Sequence, residues 1–182
     1  YKIWGPDILK KLEGQFSFVI FDKVNQILFM ARDRIGQKPL FYKITNERII
    51  ISSTLEPIIK LSESFEVDSE SVYTFLQVGV VPAPKTIFKN INKLKNGEYM
   101  VFDVQENQIT EKCIYWSPEQ FIDYRKYDYE EFMSIFDEAV KKRCVADVEI
   151  SSFLSGGLDS TSIIKKASEY LPSMKTFSVG FL

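Results

Sequence analysis

The sequence reads as an α+β unit built on antiparallel sheet, followed by the opening of a doubly wound α/β unit with a parallel sheet. Three observations carry this. Residues 1–53 read as antiparallel β structure, with aromatic and β-branched runs alternating with turn residues in the pattern of a meander. From Tyr129 the order becomes helix, strand, loop, helix, strand, which is how a doubly wound sheet begins. Within that order, Ile150-Ser151-Ser152-Phe153-Leu154-Ser155-Gly156-Gly157-Leu158-Asp159-Ser160 runs a short strand through a Ser-Gly-Gly turn into a helix expected to start at Asp159-Ser160.

The meander is expected to hold strands at Gly14–Asp22, Ile27–Arg32, Leu40–Lys43 and Arg48–Ser52, and to be covered on at least one face. A short helix follows over Thr54–Leu61, then a longer one from an Asp68 N-cap to Gln77, stopped at Gly79. Val80-Val81-Pro82-Ala83-Pro84-Lys85 must be extended, because each proline disfavours helix at itself and at the residue before it. Asn96-Gly97 is a turn signal, and Glu98–Asp103 and Gln108–Tyr115 read as a hairpin. Residues 116–128 have no clean period and are read as a linker between domains at 1–115 and 129–182. Beyond it, Phe132, Ile135, Phe136, Ala139 and Val140 form one helical stripe, expected to be packed core. Lys141-Lys142-Arg143 then suits the negative pole of that helix. The next helix is expected to run to about Tyr170, and the last strand over Lys175–Val179.

Composition narrows the chemistry. The 182 residues are 45% hydrophobic, enough for one ordinary domain or two small ones. With a net charge of −2, from 23 basic and 25 acidic residues, nothing in the balance points to nucleic acid or an anionic membrane as a main partner, and neither is expected. The longest apolar run, Phe16 to Phe21, is far too short to span a bilayer, and no signal peptide is present, so a cytoplasmic location is expected. The absence of histidine removes Ser-His and Cys-His nucleophile pairs and argues against a zinc site. Cys113 and Cys144 read as reduced thiols, Cys144 on or near the apolar face of a helix. The chain starts at Tyr1 rather than Met and stops at Val179-Gly180-Phe181-Leu182, where a crossover should follow, so it reads as an internal piece of a longer polypeptide.

Two stretches are candidate sites. Arg32-Asp33-Arg34-Ile35-Gly36-Gln37-Lys38-Pro39 is the most polar part of the first unit, read either as a charged pocket wall or, preferably, as a solvated ion pair at a turn. In Ser155-Gly156-Gly157, adjacent glycines and a helix start are suited to hold phosphate, with Ser155 and Ser160 adding hydroxyls. On spacing alone an ordinary strand-to-helix connection explains the same residues equally well.

The Ser-Gly-Gly-Leu-Asp-Ser segment resembles the pyrophosphate-binding loop of the ATP-pyrophosphatase family. Together with Leu12-Glu13-Gly14-Gln15-Phe16-Ser17-Phe18, Arg32–Tyr42, Pro82-Ala83-Pro84-Lys85-Thr86-Ile87-Phe88 and Lys93-Leu94-Lys95-Asn96-Gly97, it is similar to the glutamine-dependent asparagine synthetase family over essentially the whole chain. That resemblance implies a glutaminase domain of the N-terminal-nucleophile-hydrolase fold, represented here by its C-terminal part. It also implies the N-terminal part of an ATP-binding synthetase domain that adenylates aspartate using ATP and Mg2+, with ammonia passing between them. By motif, Asp33 matches a carboxylate holding the α-amino group of glutamine, with Arg32 and Gly36 shaping its turn. Leu154, Ser155, Gly156, Gly157, Asp159, Ser160 and Val179 match the ATP site, and a homodimeric parent is allowed. The family's nucleophile is an N-terminal cysteine, whereas Tyr1 stands first here and neither cysteine matches it. No catalytic residue is therefore expected in this stretch, and the 182-residue chain alone is expected to be inactive and to bind ATP weakly. The same plan serves β-lactam synthetases and enzymes that amidate cell-surface polysaccharides, so another acceptor is the alternative.

Overall fold

A computed structural model describes residues 1–62 and 64–180. They fall into two compact units, Tyr1–Ile122 and Asp123–Leu182. The step into a crossover expected at Phe181 and Leu182 lies outside the described residues. Among the described residues, no helix is long and apolar enough to cross a membrane.

In the first unit a 3-10 turn at Gly5–Asp7 leads into the single-turn helix α1 (Ile8–Lys11). Strands β1 (Ser17–Asp22), β2 (Ile27–Arg32), β3 (Phe41–Ile44) and β4 (Ile49–Ser52) follow. Next come helices α2 (Leu55–Lys60) and α3 (Ser69–Val78), then β5 (Asn92–Lys93), β6 (Glu98–Asp103) and β7 (Gln108–Ile114). They form two antiparallel sheets, ordered β1-β2-β6-β7 and β4-β3-β5.

The period of two explains the packing. Met30, Met100 and Phe102 join Leu40, Tyr42 and Leu94 in one core cluster, while Phe29, Ala31 and Tyr99, on the other face of the same strands, join Leu9, Phe16 and Phe18 in a second. The four-stranded sheet is therefore covered on both faces, more than the alternation required. Ile50, Ile58 and Ile91 make a third cluster between β4, α2 and the segment before β5. Each such fully buried side chain contributes about 1.5–3 kcal/mol.

In the second unit, α4 (Tyr129–Arg143) is capped by Asp128, whose carboxylate accepts from Glu131 N at 3.1 Å. Strands β8 (Ser151–Phe153) and β9 (Lys175–Phe177) pair in parallel, with α5 (Leu158–Ala167) crossing between them. This is the βαβ order expected of a doubly wound sheet. Helix α5 starts one residue earlier than expected, with Gly157 rather than an Asp or Ser as its N-cap. It stops at Ala167, and a tighter turn carries hydrogen bonds on to Leu171.

The α4 stripe is a correction. Only Val140 is buried (7% exposed), whereas Phe132 and Ile135 are 49% and 58% exposed. Helix α5 packs against α4, but it covers only part of that apolar face. The basic residues at its end behave as a solvated terminus: Lys142 pairs with Glu138 at 2.9 Å and Arg143 donates to Ala139 O at 3.0 Å. Both cysteines are free thiols. Cys144 caps α4 with Sγ donating to Val140 O at 3.3 Å.

Candidate functional site

The first candidate grows out of the end of β2. Asp33 is 1% exposed and Arg32 7%, so the expectation of a solvated ion pair at a turn is overturned. The carboxylate of Asp33 accepts from Gln37 N at 2.9 Å, Lys38 N at 2.9 Å and Phe16 N at 3.3 Å. Its backbone carbonyl accepts from Gly36 N and Gly97 N, both at 3.0 Å. Arg32 likewise points its guanidinium at the chain. Nε donates to Lys38 O and Nη1 to Leu94 O, each at 2.8 Å, and Nη2 donates to Gly36 O. The physical reason is backbone satisfaction: a tight turn leaves N–H and C=O groups pointing inward, and one buried cation and one buried anion answer them.

Glycine is required at the centre. Gly36 sits at φ +67°, and a Cβ there would lie 2.1 Å from Asn96 Oδ1 and 2.8 Å from Arg32 Cζ. Tyr115 closes the knot by donating its hydroxyl to Arg32 O at 2.8 Å. Burial and then the Asp33 charge push that phenol up to about 12. Arg32, Asp33 and Gly36 are thus brought together, but the Asp33 carboxylate is sealed inside the turn.

Beside the turn lies a cavity of about 500 Å³, lined by Arg32, Gly36, Lys93, Lys95 and Asn96 with Ile35, Val80 and Pro82. Sequence reading quoted Lys93-Leu94-Lys95-Asn96-Gly97 without giving those side chains a role. The signal available was the alternation of the two lysines with a buried leucine, which places both lysines on the side away from Leu94.

The second candidate is the Ser-Gly-Gly loop at the carboxyl end of β8. Ser155 Oγ and Ser160 Oγ lie 3.0 Å apart, Gly157 N donates to Ser155 Oγ at 3.4 Å, and Ser160 Oγ donates to Gly157 O at 3.1 Å. Gly156 has φ +80°, and no atom lies within 4 Å of where its Cβ would be. Gly157 caps α5 without a side-chain hydrogen bond, so the first-turn N–H groups and the positive end of the helix face outward from an exposed loop. Asp159 is exposed in that first turn.

The neighbouring strand end is tied to the loop. Leu154 N donates to Phe177 O at 2.8 Å, and Ser178 Oγ donates to Leu154 O at 2.7 Å. Leu154 is half-buried and Val179, the residue after Ser178, is 78% exposed. Ser178 was not singled out from sequence, although a hydroxyl one position before Val179 at a strand end was the available sign.

Residues 1–116 match the family model described as Glutamine amidotransferase domain, and residues 131–182 match that described as Asparagine synthase. A putative glutamine-hydrolyzing asparagine synthetase 2 of Methanocaldococcus jannaschii is 35% identical over 100% of this chain and 36% of its own length. The glutamine-hydrolyzing asparagine synthetase 1 of Bacillus subtilis is 33% identical over 100% of this chain and 29% of its own. The chain thus spans about a third of the length of these relatives. A solved glutamine phosphoribosylpyrophosphate amidotransferase from B. subtilis aligns over 93% of this chain and 33% of its own at 11% identity, but its TM-score of 0.36 is too low to weigh. A glutamine amidotransferase match followed by an asparagine synthase match, with this chain aligned over its whole length to about a third of these relatives, places it in the glutamine-dependent asparagine synthetase family.

Proposed function

We propose that the protein is an ATP-dependent amidoligase in which glutamine supplies ammonia to a carboxylate activated as its AMP ester. Residues 1–115 belong to the glutaminase domain and 129–182 to the synthetase domain, joined by 116–128. The observation that carries this is the Ser155–Ser160 loop, with two hydroxyls 3.0 Å apart beside an open helix start. Such a loop binds an oxyanion through backbone N–H groups, the two hydroxyls and the helix dipole. Pyrophosphate is the leaving group of adenylation, so donors at this point stabilise the charge that develops as it departs. Leu154 and Val179 flank the loop at adjacent strand ends, where the adenosine is placed.

Magnesium accompanies ATP in this chemistry and neutralises phosphate charge. Among the described residues there is no group of three or more His, Cys, Asp or Glu that could hold a metal ion. In the glutaminase half, Asp33 and Arg32 act as positioning residues that hold the turn, rather than as direct contacts to glutamine. Cys113 is exposed on β7, Cys144 caps α4, and the chain has no histidine. The 182-residue chain by itself is therefore expected to release no ammonia from glutamine.

Aspartate is the acceptor that the relatives named asparagine synthetase support. A second reading keeps the loop and changes the carboxylate, as in β-lactam synthetases or polysaccharide amidation. It is favoured by the match to Amidase chyE of Penicillium rubens, 29% identical over 100% of this chain and 29% of its own length. The test is product analysis of the intact protein with glutamine, ATP, magnesium and aspartate. Asparagine, AMP and pyrophosphate in equal amounts support the first reading; ADP and phosphate in their place would refute adenylation.

A further inference from the structure

The cavity beside the Arg32–Pro39 turn has a charge balance that the proposed reaction does not use. Three cationic side chains line it, Arg32, Lys93 and Lys95, and none of its lining residues is acidic. Arg32 is committed to three carbonyls. Lys93 Nζ donates to Val81 O at 2.9 Å, one of three donors an ammonium offers. Burial and then the Arg32 charge lower the Lys93 pKa. Lys95 is exposed, and its side chain pairs with no carboxylate among the described residues. Asp33, adjacent in sequence, is sealed with both oxygens occupied. Apart from Asn96, the remaining lining side chains are apolar and include Ile35, Val80 and Pro82.

We propose that this cavity binds a small organic anion, a carboxylate carried on a short hydrocarbon chain without an amino group. Lys93 and Lys95 hold the carboxylate, Asn96 supplies an amide donor, and Ile35, Val80 and Pro82 cover the hydrocarbon. A free amino acid is disfavoured because three cations and no carboxylate line the cavity, so its ammonium group has no counter-charge there. A bare oxyanion is disfavoured because it leaves the apolar wall without a partner. The site is independent of the amidoligase reading, so either can fail without the other.

Calorimetric titration of the protein with glutarate tests it, with glutamine and inorganic phosphate as comparisons. Glutarate is expected to bind, about tenfold more weakly in Lys95→Ala and with affinity largely restored in Lys95→Arg. Glutamine and phosphate are each expected to bind about tenfold or more weakly than glutarate. Because the Lys95 side chain is exposed and unpaired, an unchanged thermal midpoint will show that the variant still folds. Absence of glutarate binding, equal affinity in Lys95→Ala, or glutamine or phosphate binding as tightly as glutarate would each overturn the assignment.

Discussion

A methyl group added at Gly36 would stand 2.1 Å from Asn96 Oδ1 in a backbone conformation that L side chains resist. Gly36→Ala is therefore expected to cost about 1–3 kcal/mol in denaturant unfolding. Gly97 is less forgiving, because its added Cβ would lie 2.2 Å from the carbonyl oxygen of Trp116, which is backbone and cannot swing aside. Asp33→Asn turns one acceptor into a donor facing the N–H groups of the turn, and a loss of about 1–3 kcal/mol is expected by the same measurement. Tyr115 predicts an alkaline limb. Its pKa rises from 10.0 to about 12 on folding, so the folded state keeps a proton that the unfolded state has lost. Stability is thus full below about pH 10 and falls as pH rises toward 12, and Tyr115→Phe flattens that fall in pH-dependent unfolding. None of this knot was legible from spacing. The Arg-Asp-Arg-Ile-Gly run was visible, but the partner of Arg32 Nη1 is Leu94 O, 62 positions away, and a pair of charges at a turn reads as solvated until those carbonyls are placed.

Strand β2 came out of the sequence with both ends correct, because a four-residue turn before it and a charged turn after it bracket an unbroken apolar run. By contrast α1 and β5, of four and two residues, were missed; pieces that short carry no period, and tertiary contacts form them. Helix α4 was found, and what failed was the inference that its whole stripe is buried. That difference is measurable: Val140→Ala should cost about 1–3 kcal/mol, whereas Ile135→Ala should stay within about 0.5 kcal/mol. The two helices are also clasped by Asp137 of α4, which accepts from Lys166 Nζ at 2.8 Å and from Tyr170 Oη at 2.6 Å. The bonds from Lys166 and Tyr170 hold the Asp137 carboxyl below its ordinary range. Its contribution is therefore present above that range and lost on acidification. Asp137→Asn should remove this acid dependence from amide exchange in α4 and α5.

The chain carries a glutamine amidotransferase match and an asparagine synthase match in series, and the two units differ in how much of their chemistry is local. The Ser-Gly-Gly loop was readable because its parts lie within six consecutive residues, Ser155 to Ser160, and the structure adds only Ser178 from the next strand. The amidotransferase half was readable as a family through its motifs, but the work of its charged turn depends on contacts far apart in sequence. Adenylation at the Ser-Gly-Gly loop is the central claim, and exchange of labelled pyrophosphate into ATP by the intact protein addresses it most directly. The account predicts exchange that requires aspartate and falls by about 10²-fold or more in Ser160→Ala. Exchange that is absent with aspartate, or that is unchanged in Ser160→Ala, would contradict it.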